Sequence, residues 1–288
     1  MTIQPSHDVS DVILVTGATG NVGRHVVQQL LAAGVPVRAT SRRPESVNLP
    51  GQVEVVGADL TQPATLPAAL AGVRKVFLYA EPRGIDGFVA ASKAAGVKHV
   101  VLLSSSSVVA ADAETSPIAR LHLDVERPLQ ASGIPWTFIR PGAFATNSLM
   151  WAHSIRSDSV VRTPYPESHS TPIHEEDLAE VAVRALLDPG HENASYVLSG
   201  PESLTQRRQA ELIAEAIGRP VRLEVITPAR AREEMSRVMP PMAVDALLRY
   251  QALSDGSPLP VQATARDVTG RPARTFAQWA RDHASDFR

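Results

Sequence analysis

Cysteine is absent from all 288 residues, which excludes in one step a disulfide framework, a thiolate metal site and a cysteine nucleophile. The redox compartment is left open by that absence. Excess positive charge is missing as well: the formal net charge is -2, no field gathers a phosphate backbone, and nucleic acid is not expected as a partner. Nowhere do about 18 apolar residues run together, so no membrane partner is expected and the expected location is cytoplasmic. Residues 1–10 lack the basic start and apolar run of a signal peptide and read as a flexible leader. No internal repeat or low-complexity tract occurs. What is present, 44% hydrophobic and 20% charged residues, is the balance of an ordinary globular chain able to bury a core.

Apolar, β-branched runs at 12–16, 35–40, 53–58, 75–79, 100–104, 136–140 and 196–199 alternate with amphipathic segments at 24–33, 87–95, 121–131 and 175–187. That alternation predicts βαβ units in an α/β fold, a Rossmann doubly wound parallel sheet covered on both faces. Gly34, Gly96 and Gly133 each close a helical run before a strand, the place for a left-handed residue.

Directly after the first apolar run comes Gly17-Ala18-Thr19-Gly20-Asn21-Val22-Gly23. A glycine turn between strand and helix offers backbone N–H groups and a helix dipole to a diphosphate. Gly17 permits the tight turn, Gly20 removes a Cβ from the path of the pyrophosphate, and Gly23 is expected to let the helix pack on the strand. The second strand ends Thr40-Ser41-Arg42-Arg43, with no acid until Glu45. An NAD-selective chain places a carboxylate near this point, whereas guanidiniums and a hydroxyl suit the 2′-phosphate of NADP(H); the alternative is a solvated basic loop. The expected organisation is then an NAD(P)-binding Rossmann domain over 11–143, continued by 173–200. A smaller, mainly helical substrate-binding part takes 144–172 and 201–288, because long connections gather outside the carboxyl ends of the strands.

Several segments together resemble the NmrA-like group of atypical short-chain dehydrogenase/reductases, which includes quinone, azo-dye and triphenylmethane-dye reductases. They are TGATGNVG at 16–23, Arg42, Ala58-Asp59-Leu60, the stretch at 94–100 leading into Leu103-Ser104-Ser105, and Phe138-Ile139-Arg140-Pro141-Gly142-Ala143-Phe144. The resemblance implies a cofactor site. Gly17, Thr19, Gly20, Asn21 and Val22 would hold the pyrophosphate, Ser41, Arg42 and Arg43 the 2′-phosphate, and Asp59 and Leu60 the adenine. Ala80 and Glu81 would lie beside the ribose and pyrophosphate, Ser104 near the nicotinamide, and Pro141, Gly142 and Phe144 along the nicotinamide and substrate. Each has a plainer alternative: Asp59 capping a turn, Ser104 ending a buried strand.

The family's Tyr and Lys, four residues apart on one helix, are not here; counted back from Glu126, their places hold Ile118 and His122. His122 is therefore the candidate catalytic residue, able to contact the nicotinamide ribose, polarise a substrate oxygen or deliver a proton. Its alternative is a helix histidine bonded to the nearby loop. Two functions fit: an NADP(H)-dependent oxidoreductase passing hydride to a small conjugated, quinone-like or carbonyl substrate, or a non-catalytic NADP(H)-binding redox sensor. A lyase or epimerase with tightly bound dinucleotide is a third. The partner is expected to be a flat small molecule, walled by Met150, Trp151 and Tyr165 unless these form a core. The state is expected to be monomer or homodimer. His174 before Glu175, Glu176 and Asp177 reads as a helix start, and no metal is expected.

Overall fold

A computed structural model describes residues 11–237 and 239–288; the leader expected at 1–10 lies outside the described residues. Strands β1 (Val12–Val15), β2 (Val37–Ser41), β3 (Glu54–Gly57), β4 (Val73–Tyr79), β5 (His99–Leu103) and β6 (Trp136–Pro141) belong to one sheet. After β7 (Val160–Thr163) and β8 (His169–Ser170), β9 (Ala194–Leu198) rejoins that sheet, and β10 (Leu204–Thr205) and β11 (Arg222–Val225) follow. The sheet order is β3-β2-β1-β4-β5-β6-β9 and every neighbouring pair is parallel. The chain winds outward from β1 to β3, then crosses to β4 and winds the other way. Order thus reverses between β1 and β4, and all seven carboxyl ends share one edge. The expected Rossmann sheet is the observed one.

The helices are α1 (Gly23–Ala32), α2 (Leu66–Leu70), α3 (Ile85–Ala95), α4 (Pro117–Ala131), α5 (Ala152–Asp158), α6 (Glu175–Leu187), α7 (Gln206–Ile217), α8 (Pro228–Met235), α9 (Pro241–Leu253), α10 (Thr264–Thr269) and α11 (Phe276–Asp282). Helix α4 starts four residues before the expected 121, because Ser116 accepts from the Ala119 N–H and Pro117 suits the first turn.

Two compact units result. One comprises the described residues to Pro141 with Glu175–Leu198 and Asp267–Gly270; the other comprises Gly142–His174, Ser199–Arg266 and Arg271–Arg288. In the first, Leu14, Val76, Leu78, Val100 and Leu102 meet Phe88 of α3 and Val125 and Leu129 of α4. Their sheet neighbours, such as Ile13, Phe77 and Val101, are equally buried, as period-two alternation requires when helices cover both faces. The second unit pairs β7 with β11 in parallel and β8 with β10 antiparallel. Its core gathers Trp151, Ile155, Val161, Ile213, Phe276, Trp279 and Phe287. Trp151 is thus a core residue, Tyr165 packs on a smaller cluster around Val244, and Met150 is exposed.

A buried histidine opens β5. His99 Nε2 lies 2.8 Å from Thr137 Oγ1, and that hydroxyl donates to the His191 carbonyl, so Nε2 carries the proton. Burial, reinforced by the Lys75 charge, pushes its pKa from 6.5 down to about 4. As pH falls the unfolded chain takes the proton first. The stability contribution is complete above pH 6.5 and lost towards pH 4, at most about 3 kcal/mol. Urea unfolding at about pH 7 and about pH 4.5 should show a smaller loss for His99→Gln than for the parent chain. Equal losses would assign the acid limb to other groups.

Candidate functional site

The glycine turn sits where the sheet reverses. Thr16 Oγ1 donates to the Phe77 carbonyl and accepts from the Tyr79 N–H at 2.7 Å, clasping β1 to β4 just before the turn. Gly17 adopts φ +62, a left-handed conformation that favours glycine, and its carbonyl accepts from the Gly20 N–H at 2.9 Å. Thr19, Gly20 and Asn21 are exposed, whereas the Val22 side chain is buried and offers only its backbone. The N–H groups of Thr19, Asn21, Val22 and Gly23 find no partner among the described residues. Unsatisfied donors at the start of α1 are the fit a diphosphate needs.

Gly23 departs from expectation. A Cβ there would lie 2.1 Å from the Gly17 oxygen and 3.1 Å from Ala18 Cα, so this glycine closes the turn upon itself and does not chiefly serve helix–strand packing. At Gly20 a Cβ would meet only the Gly17 oxygen, at 3.2 Å. Gly23→Ala should therefore lower the melting temperature, by about 1–3 kcal/mol of overpacking. Gly20→Ala should melt almost normally while NADPH binds about tenfold more weakly. Normal binding with early melting for Gly20→Ala would show that it serves packing alone.

At the end of β2, Ser41 Oγ accepts from the Arg43 N–H at 3.0 Å. The Arg42 and Arg43 side chains are exposed, and neither makes a hydrogen bond or ion pair with a described residue. Arg38 differs: it binds Glu54 and the carbonyls of Ala69 and Ala71, and is structural.

Asp59, after β3, takes the Thr61 N–H at 2.9 Å and the Thr61 hydroxyl at 2.8 Å on Oδ1. These bonds, the backbone one foremost, hold its carboxyl below the usual range, with a smaller contribution from Arg42. It closes the turn leading past half-buried Leu60. Ala80 is buried at the end of β4, and Glu81 accepts from Arg83 through Nε and a terminal nitrogen, both at 2.9 Å. That pairing keeps the Glu81 carboxyl below its ordinary value.

Ser104, next after β5, is buried and turned inward: its hydroxyl donates to Glu126 Oε1 at 2.6 Å. Arg140 of β6 holds the same carboxylate as a fork, Nε to Oε1 at 2.9 Å and a terminal nitrogen to Oε2 at 2.6 Å. Glu126 is 1% exposed. Ser104 is expected near the nicotinamide; its hydroxyl hydrogen is committed to Glu126, which leaves its oxygen to act there only as an acceptor. One turn before Glu126, half-buried His122 leaves Nδ1 buried and without a partner, so the loop bond offered as its alternative is not formed. Burial pushes its pKa down and the Glu126 charge opposes that.

Pro141 closes β6 and is buried. In the second unit Gly142 is exposed and Phe144 half-buried, bridging Ile173. Glu175, Glu176 and Asp177 occupy the first turn of α6.

Parallel strands thus bring the turn at 17–22, Ser41 to Arg43, Asp59 with Leu60, and Ala80 with Glu81 to one edge of the sheet. The Glu126–Arg140 pair escaped the sequence reading. Its signal was a charge inside an otherwise apolar strand run, which needs a partner.

A family model described as NAD(P)H-binding matches residues 17–189. The chain is 42% identical over 281 residues to a (4-alkanoyl-5-oxo-2,5-dihydrofuran-3-yl)methyl phosphate reductase of Streptomyces griseus subsp. griseus, covering 96% of this chain and 99% of that protein. It is 40% identical over 286 residues to an NAD(P)H azoreductase of Xenophilus azovorans, covering 96% and 99%. Among solved structures, the triphenylmethane reductase of Citrobacter sp. complexed with NADP(H) superposes with a TM-score of 0.77 at 26% identity, over 95% of this chain and 99% of that one.

Proposed function

Because the chain belongs to the NAD(P)H-binding family, in its NmrA-like group of atypical short-chain dehydrogenase/reductases, and is an NAD(P)H-dependent oxidoreductase, we propose that it reduces a small conjugated acceptor with NADPH and without a Tyr-Lys pair. The observation that carries this reading is α4: its fifteen residues contain neither tyrosine nor lysine, and counting back from Glu126 gives His122 the lysine's place. The substrates named for the relatives, an oxo-dihydrofuran, azo compounds and triphenylmethane dyes, support the acceptor class. A conjugated acceptor spreads the charge that arrives with hydride, so it needs no strong acid at one oxygen.

Within this reading the free N–H groups of the turn hold the diphosphate, and Arg42 and Arg43, with Ser41, hold the 2′-phosphate. Asp59 and Leu60 border the adenine; Ala80 and Glu81 lie by the ribose. Bound NADPH supplies the hydride. His122 gives or steers the proton that completes the reduction. The substrate role of 144–172 and 201–288 and a cytoplasmic location belong to the same proposal; no helix among the described residues is long and apolar enough to cross a membrane.

The test is NADPH oxidation, followed at the nicotinamide absorbance, with a quinone, an azo dye, a triphenylmethane dye and an acyl butenolide. Turnover of at least one acceptor with one NADPH consumed per two-electron reduction is expected. Tight NADPH binding with turnover of none would overturn the acceptor class.

A further inference from the structure

A buried ion pair of the first unit begins one helical turn after His122. Glu126, 1% exposed, accepts three hydrogen bonds, one from Ser104 at the end of β5 and two from Arg140 in β6. A buried carboxylate–guanidinium pair contributes little net stability compared with well-packed apolar side chains, because both ions have been taken out of water. Its distinctive effect is geometric. A planar fork admits one orientation of carboxylate to guanidinium, and the Ser104 hydroxyl ties the same carboxylate to a second strand. Helix α4 is thereby fixed both about and along its own axis.

His122 precedes Glu126 by four residues and shares its helix face. The start of that turn is held by the Ser116 cap and by buried Ala119, but the imidazole itself is not held: Ile118 and Leu121 beside it are exposed, and its Nδ1 is buried with no partner among the described residues. We propose that Glu126 and Arg140 are positioning residues, whose buried fork, tied to Ser104, locks α4 against β5 and β6 and so fixes the His122 imidazole one helical turn away. The inference rests on His122 serving the reductase reaction.

The experiment pairs Glu126→Leu/Arg140→Leu, which leaves neither charge unpaired, with Glu126→Gln. For the leucine pair kcat should fall at least tenfold while KM for NADPH stays within about twofold, and adding His122→Ala should cost nothing further. Histidine-labelled NMR should show the His122 ring resonance displaced or doubled with no substrate present. Unchanged kcat and resonance would overturn the proposal, as would losses that multiply when His122→Ala is added, since the fork would then act elsewhere. Should the leucine pair not fold, Glu126→Gln, which keeps size and an acceptor for Ser104, carries the same readings. If the parent chain reduces none of the acceptors, the proposed acceptor class fails on that result alone. The His122 resonance in Glu126→Gln then still supports or overturns the positioning role.

Discussion

Arg42→Ala is expected to weaken NADPH binding by about ten- to a hundredfold and to leave NADH binding nearly unchanged, the effect of about one charged hydrogen bond lost to a phosphate dianion. The expectation follows from contrast between an arginine on β2 and one just past its end. Arg38 spends its guanidinium on Glu54 and two backbone carbonyls, so its removal should unsettle the fold and weaken both cofactors alike. Arg42 has no such engagement, stands just beyond the strand next to the one that feeds the glycine turn, and has no carboxylate near enough in sequence before Glu45 to favour a bare ribose. Titration of both dinucleotides at two salt concentrations checks this: the NADPH preference should shrink with added salt in the parent chain and hardly move in Arg42→Ala. Parallel losses of NADH and NADPH would make Arg42 structural.

The parts of this molecule that were legible in its sequence are those in which a residue acts alone or on near neighbours. Gly34, Gly96 and Gly133 all take positive φ, at +75, +75 and +78, because a helix must close before each strand whatever else surrounds it. The strand runs were readable for the same reason, since burial on both faces leaves only apolar choices. The pairing of β7 with β11 was not: four-residue strands some sixty positions apart carry no period of their own. Glu126 and Arg140 were not legible either, because fourteen residues separate two charges that meet only after α4 folds back on β6. Glu81 differs again: the resemblance implied a place beside the ribose, and the structure adds a bond from its carboxylate to Arg83 two residues along, a local partner that sequence could have offered.

His122→Ala is expected to lower kcat by about a hundredfold, the range for losing a positioned proton donor, with the melting temperature at neutral pH little changed. Retained stability follows from the environment. Burial pushes the His122 pKa below 6.5, with Glu126 opposing, so near pH 7 the side chain is mostly neutral in folded and unfolded chains and its protonation gives stability little pH dependence there. Only the imidazolium can hand over a proton, and its population grows as pH falls below 6.5 towards the lowered value. The rate per encounter, kcat/KM, reports the free enzyme. It should therefore rise towards acid in the parent chain and fall off on the alkaline side, opposite in sense to a site that needs a phenolate or a neutral base. In His122→Ala the profile between about pH 6 and 9 should be flat, because solvent supplies the proton without a titrating group. His122→Asn separates the two actions open to the imidazole: an amide can polarise a substrate oxygen by hydrogen bonding but cannot give up a proton at these pH values. Recovery by asparagine would assign polarisation, and failure to recover would assign proton transfer. A parent chain whose profile is already flat, and whose rate survives His122→Ala, would leave hydride transfer to an acceptor protonated directly by water. The unpartnered nitrogen would then be only a buried polar atom on the face of α4.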